Sequence, residues 1–126
     1  MKPSRAVVFV DHQSALLQPL GSDQPGHHTL HAHHHETRQH ASRVRTEHAF
    51  FGEVCAALDA FSGVLVTGGH QGLADFRHYV QKHHPTTALH IAGYEVVDHP
   101  SVAELVALAR IFFTRQDRMA GIAGTP

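Results

Sequence analysis

Two uninterrupted apolar runs, at residues 6–10 and 64–66, indicate buried β-strands. The second run ends on a glycine-rich turn, and an amphipathic helix begins directly after that turn. A strand with no polar alternation is covered on both faces, and helices supply that cover in layered domains. The chain is therefore predicted to be an α/β domain.

The first apolar run leads into two further predicted strands. Residues 11–14 form a predicted hairpin turn, and residues 15–18 form the second strand. Residues 28–33 alternate between apolar and polar positions, as a strand at or near a sheet edge does. Residues 34–46 are polar, basic and without period, which predicts a mobile loop.

Three amphipathic helices and one more strand complete the predicted order β-β-β-α-β-α-β-α. The first helix is expected to begin at Thr46 or Glu47, and a capping box at Ser101 opens the last helix. The predicted inner residues are Phe50, Val54, Leu58 and Phe61, then Leu73, Phe76 and Val80, then Leu105, Leu108 and Phe112. One domain over residues 1–115 is expected, followed by a flexible tail at 116–126.

Composition limits the kinds of partner and compartment. The 10 Lys and Arg residues nearly balance the 11 Asp and Glu residues, so any binding to nucleic acid must be local, and no membrane partner is indicated. Protonation of all 15 histidines would move the formal charge from −1 to +14. Cys55, the one cysteine, excludes an intrachain disulfide and is expected to be a small buried hydrophobe. The N-terminal apolar run is too short for a signal peptide, so a cytoplasmic protein is expected.

Three segments carry a resemblance to a known family: residues 7–15, residues 64–76, and Val96–Asp98 ahead of the last helix. In this order they resemble the central domain of the archaeal and eukaryotic release factor and Pelota family. Residues 27–40 are also similar to the His-rich strand and loop of small bacterial translational machinery proteins. The resemblance covers nearly the whole chain and implies a bacterial protein with a ribonuclease H-like fold, whose mixed sheet has about five strands flanked by helices.

The release factors of this family hydrolyse peptidyl-tRNA with a Gly-Gly-Gln tripeptide in the loop before the first helix. The corresponding residues here, 34–46, contain no glycine. A sequence Gly68-Gly69-His70-Gln71 lies instead after the fourth strand, where glycine is expected for a tight connection into the helix. We therefore expect no peptide release, no catalytic residue and no required cofactor.

The basic segment supplies candidate RNA-binding residues, namely Arg38, His40, Arg43 and Arg45. Arginine forks match phosphate geometry, and imidazoles stack on bases. The resemblance places this segment where the family enters the catalytic centre of the ribosome. The leading hypothesis is a non-catalytic, translation-associated factor that binds the ribosome, ribosomal RNA or tRNA.

A transition-metal-binding protein is the first alternative. On an extended strand His31, His33 and His35 point the same way, roughly 6 to 7 Å apart at ~3.3 Å rise per residue. Neighbouring imidazoles of this kind suit zinc, nickel or copper. The competing interpretation is a solvated, partly cationic end of the strand.

A metal-dependent nuclease is the second alternative. Ribonuclease H-like nucleases hold two metal ions with carboxylates, and Asp11 after the first strand and Glu53 on the first helix begin such a set. The third carboxylate is missing after the fourth strand, where residues 67–69 are Thr-Gly-Gly, and Asp98, at the end of the last strand, is the remaining candidate. In the competing interpretation, Asp11 is a turn residue that hydrogen-bonds the backbone of the hairpin.

Overall fold

A computed structural model of the protein describes residues 4–21, 26–32 and 40–124, with the backbone alone for residues 40–45 and 121–124. Five strands and four helices lie within these ranges. In chain order they are β1 (Arg5–Val10), β2 (Ser14–Leu20), β3 (His28–His31), α1 (His40–Leu58), β4 (Gly63–Gly68), α2 (His70–His83), α3 (Pro85–Ala88), β5 (Ile91–Val96) and α4 (Val102–Gly124).

The five strands form one mixed sheet in the order β3-β2-β1-β4-β5. The first three strands are an antiparallel meander, whereas β1 pairs with β4, and β4 with β5, in parallel. This sheet confirms the predicted α/β class and the predicted number of strands. The one element that the predicted order lacked is α3, a single turn between α2 and β5.

Apolar side chains on the two faces of the sheet form separate cores. Val8 and Val66 face α1 and α2, and Val7 and Leu65 face α4. Since neighbours along a strand point to opposite faces, a strand buried on both sides must be apolar at every position. The uninterrupted apolar runs of β1 and β4 have this cause.

The predicted buried residues of α1 and α2 are confirmed, whereas two of the three predicted in α4 differ from the buried ones by one position. In α4 the buried residues are Leu105, Ala109 and Phe113. The predicted residues Leu108 and Phe112 are partly buried beside them. The sequence offers adjacent apolar residues at both places, so the packing against the sheet selects between them.

Two predicted boundaries differ from the structure. The helix α1 begins at His40 and not at Thr46 or Glu47, so residues 40–46 are helical where a loop was predicted. The helix α4 continues to Gly124 through the predicted tail. Neither glycine nor proline interrupts residues 40–46, so the helix propagates outward from its packed part.

Candidate functional site

The carboxyl ends of the parallel strands define one edge of the sheet, at which several polar segments meet. The hairpin turn after β1 lies here, and Ala32 N–H donates to the carbonyl of Gln13 over 2.8 Å, which brings the end of β3 to the same edge. The helix α1 ends close to the start of β4, so its N-terminal end, at His40, lies at the carboxyl edge. The α2 helix also begins here.

Three side chains from three elements converge at this edge. His12 comes from the turn after β1, Glu47 from α1 and Asp75 from α2. One imidazole nitrogen and one oxygen from each carboxylate all lie within 4.8 Å of one another. His12 Nε2 and Asp75 Oδ2 form a hydrogen bond of 2.7 Å, and both side chains are about two-fifths exposed, at 38% and 41%. The cluster is thus open to solvent on one side.

The turn that carries His12 is held by Asp11. Asp11 Oδ1 accepts hydrogen bonds of 2.7 Å from the backbone N–H groups of Gln13 and Ser14. This arrangement is an Asx turn, in which a short carboxylate replaces a backbone acceptor. Asp11 therefore occupies the structural role that the turn interpretation gave it, and the turn fixes the position from which His12 extends.

Asp75 is also constrained by its own helix. Gln71, one turn earlier in α2, donates from Nε2 to Asp75 Oδ1 over 2.9 Å. The two carboxylate oxygens of Asp75 thus have different partners, because Oδ2 meets His12. Such a division fixes the orientation of the carboxylate.

A groove of about 330 Å³ between α1 and α2 extends from this cluster. Its lining combines acidic, basic and aromatic side chains: Glu47, His48, Phe51, Asp75, His78, Tyr79, Lys82 and His83. The Tyr79 ring lies 5.2 Å from the His48 ring and 4.9 Å from the His83 ring, measured between centroids. Its hydroxyl lies 3.1 Å from His84 Nε2.

The surroundings of the groove shift the pKa values of two of its side chains, His83 and Tyr79. Desolvation beside the Tyr79 ring lowers the pKa of His83, and the positive charges of Lys82 and His48 lower it further. Desolvation raises the pKa of Tyr79. His83 therefore resists protonation more than an isolated histidine does.

The predicted RNA-binding residues lie at the same edge as far as they are described. His40, Arg43 and Arg45 occupy the first two turns of α1. Arg38 lies outside the described residues. The loop expectation for this segment is thus corrected in part, since residues 40–46 belong to a helix.

Of the predicted metal-binding histidines, His31 is exposed at the end of β3, paired in register with Ser14. His33 and His35 lie outside the described residues. The structure accordingly brings no second member of this set beside His31 within the part of the chain it describes.

Among the described residues, the one group of three potential metal ligands is His12, Glu47 and Asp75, and it contains none of the carboxylates of the nuclease hypothesis. Asp11 is engaged in its turn, and Glu53 is an exposed residue of α1. At the end of β4, buried Thr67 donates from its hydroxyl to the carbonyl of Val8 over 2.7 Å. Asp98 is almost fully exposed beyond β5, 3.6 Å from His99.

Sequence reasoning missed the His12, Glu47 and Asp75 cluster. The three positions have no common spacing, because each comes from a different element. The available signal was the topology, since the turn after β1 and the N-terminal halves of α1 and α2 meet at one edge of such a sheet.

Cys55 is buried in the core between α1 and the sheet, as predicted. Desolvation, with a smaller contribution from the negative charge of Asp59, raises the pKa of its thiol to about 12. The thiolate is the reactive form of cysteine, and a pKa this high keeps the thiol protonated at neutral pH.

Comparison with solved structures identifies a fold neighbour. The crystal structure of Archaeoglobus fulgidus Pelota, described for its inter-domain structural plasticity, superposes with a TM-score of 0.58 at 18% sequence identity. The match covers 98% of this chain and 40% of the Pelota chain. The chain therefore has the fold of a part of Pelota, in agreement with the resemblance read from its motifs.

Comparisons by sequence add no relative. No protein-family model matches the chain, and no curated protein matches it. Among the described residues, no helix is long and apolar enough to cross a membrane.

Proposed function

We propose that this protein is a cytoplasmic, non-catalytic translation factor that binds the ribosome, ribosomal RNA or tRNA through its basic segment at the carboxyl edge of the sheet. The observation that carries the proposal is the fold likeness to a part of Pelota together with the position of Arg43 and Arg45 at the start of α1. Arg38 and His40 belong to the same proposed contact surface.

The start of α1 is suited to a phosphate partner for a second reason. The first turn of a helix presents backbone N–H groups without intrahelical partners, and its dipole favours negative charge. The first turn of α1 contains no acidic residue that would oppose such a partner. Arginine side chains and the helix end therefore attract the same kind of group.

Binding without peptide release follows from the residues available. Residues 34–46 lack glycine and so lack the tripeptide with which the resembling release factors act. Glycines permit a backbone to approach a reacting centre closely, and arginines and histidines do not replace that property. The proposed role is recognition of an RNA surface.

Ribosome co-sedimentation at increasing salt tests the proposal. We expect the protein to sediment with ribosomes at low salt, and Arg43→Ala with Arg45→Ala to weaken the association and reduce the slope of log affinity against log salt by about 2, at about 1 for each phosphate contact. The matched control is Arg110→Ala with Arg115→Ala, which removes the same charge from exposed positions on α4, on the other face of the sheet.

The control variant should sediment as the unaltered protein does. Equal loss in both double variants would show that net charge alone governs the association and would contradict a specific surface. Absence of the unaltered protein from the ribosome fraction at low salt would overturn the proposal.

A further inference from the structure

We propose that His12, Glu47 and Asp75 form a binding site for one divalent transition-metal ion, of which zinc fits the ligands best. This inference rests on the geometry of the three side chains and does not depend on a role in translation. It also differs from the histidine-only site that the sequence suggested at His31, His33 and His35.

The distances are close to those of an occupied site. Zinc takes nitrogen and carboxylate-oxygen ligands at about 2.0–2.2 Å, so ligand atoms around a tetrahedral ion lie about 3.3–3.5 Å from one another. The three donor atoms here lie within 4.8 Å of one another, and His12 Nε2 lies 2.7 Å from Asp75 Oδ2. Small side-chain rotations are enough to convert one arrangement into the other, since all three residues are only partly buried.

The donor set selects the class of ion. One imidazole nitrogen with two carboxylate oxygens suits zinc or manganese, whereas magnesium prefers oxygen ligands alone. The three protein ligands leave a fourth position of a tetrahedral ion for water, on the side where His12 and Asp75 are exposed.

The surroundings hold two of the ligands in place as outer partners do in metal sites. Gln71 Nε2 donates to Asp75 Oδ1 and leaves Oδ2 directed at the cluster. The Asx turn of Asp11 fixes the backbone next to His12. Outer partners of this kind orient ligands and strengthen metal binding by about 10–100-fold.

Ion binding replaces a proton. The hydrogen bond between His12 Nε2 and Asp75 Oδ2 needs a proton between the two atoms, and a metal-bound imidazole nitrogen carries none. A protonated His12 therefore releases one proton to solvent when the ion binds, whereas a neutral His12 carries its remaining ring proton on Nδ1. No oxidant or other reactant is involved.

Cobalt(II) titration followed by visible absorption, with competition by zinc chloride, tests the site. Glu47→Gln with Asp75→Asn removes both carboxylate charges, and the matched control Glu95→Gln with Asp98→Asn makes the same changes at exposed positions elsewhere. A third variant, His31→Ala with His33→Ala and His35→Ala, removes the histidines of the competing interpretation. His12→Ala serves as an independent single-site variant, and circular dichroism checks that each variant is folded.

We expect the unaltered protein, the Glu95 and Asp98 control and the triple histidine variant each to bind one cobalt ion that zinc displaces. Loss of the two carboxylates should weaken binding by at least about 100-fold, since two of three protein ligands are gone, and His12→Ala should weaken it similarly. The proposal is overturned if the triple histidine variant abolishes binding. It is equally overturned if folded carboxylate or His12 variants bind as the unaltered protein does, or if the unaltered protein binds zinc no better than at tens of micromolar.

Discussion

Gly68 and Gly69 are neighbours in the connection from β4 to α2, yet their surroundings differ. A Cβ atom on Gly68 would lie 2.6 Å from the carbonyl oxygen of Val10 and 3.4 Å from Leu73 Cβ. A Cβ atom on Gly69 would meet nothing within 4 Å. The expectation that this connection needs glycine for steric reasons therefore applies to Gly68, where the backbones of β1 and β4 pass close together, and not to Gly69.

Gly68→Ala should destabilise the protein by about 1–3 kcal/mol, because an added methyl group forces apart two paired strands in a packed core. Gly69→Ala, the matched change one residue later, should lower the free energy of unfolding by no more than about 1 kcal/mol, the usual loss on placing alanine at a helix N-cap. Urea denaturation of both variants measures the difference. Equal stabilities would contradict the close approach seen at Gly68.

The helix α4 shows how a long-range contact extends an element beyond its sequence pattern. Arg5, at the start of β1, donates from both terminal nitrogens to the two carboxylate oxygens of Asp117, at 2.8 and 2.6 Å. The same guanidinium lies 4.7 Å from the centre of the Phe113 ring. These contacts join the helix to the sheet beyond Gln116, where the apolar period fades and a flexible tail was predicted.

Asp117→Asn should loosen α4 beyond Phe113 and increase tryptic cleavage at Arg115 and Arg118 by a few-fold, since the bidentate ion pair is lost. The hydrogen bonds from Arg5 lower the pKa of Asp117, so the pair stabilises the protein at neutral pH. That contribution disappears as the pH falls through the lowered pKa of Asp117. Timed proteolysis followed by mass spectrometry checks the prediction, with Asp98→Asn as the control; similar cleavage in both variants would contradict it.

In the whole molecule, the two faces of the sheet carry the apolar cores, and the carboxyl edge of the sheet carries polar groups. The faces bury the two cores under α1 and α2 on one side and α4 on the other. The edge gathers polar groups from segments distant in sequence, including His12, His31 and Asp75. The proposed RNA contact and the proposed metal site both lie at this edge. At the carboxyl ends of parallel strands, the loops that follow the strands and the first turns of the next helices come together.

Mild acid should strengthen binding to ribosomes, because protonation of histidines moves the formal charge from −1 toward +14. We expect the association at fixed salt to increase several-fold between about pH 7.5 and about pH 6, the range in which histidines charge. His83 should contribute late, since its pKa is lowered. Co-sedimentation at the two pH values measures the effect, and an unchanged or weaker association in acid would contradict electrostatic recognition.

Much of the architecture could be read from local patterns. The apolar runs of β1 and β4 predicted doubly covered strands, and the spacing of Phe50, Val54 and Leu58 predicted the inner face of α1. The capping box is present, with Ser101 N–H donating to Glu104 Oε1 and Glu104 N–H donating to Ser101 Oγ. All of these signals act between residues a few positions apart, so they survive in a single sequence.

The hydrophobic order of the chain was enough to give the α/β class, five strands and most of the core, because burial imposes a period on each element. The resemblance to a known family implied that these strands form one mixed sheet. Only the tertiary structure showed where α1 begins, where α4 ends and that His12, Glu47 and Asp75 meet. The ends of a helix depend on distant partners such as Arg5 with Asp117. A cluster drawn from three elements exists only after strand order and register have brought those elements together.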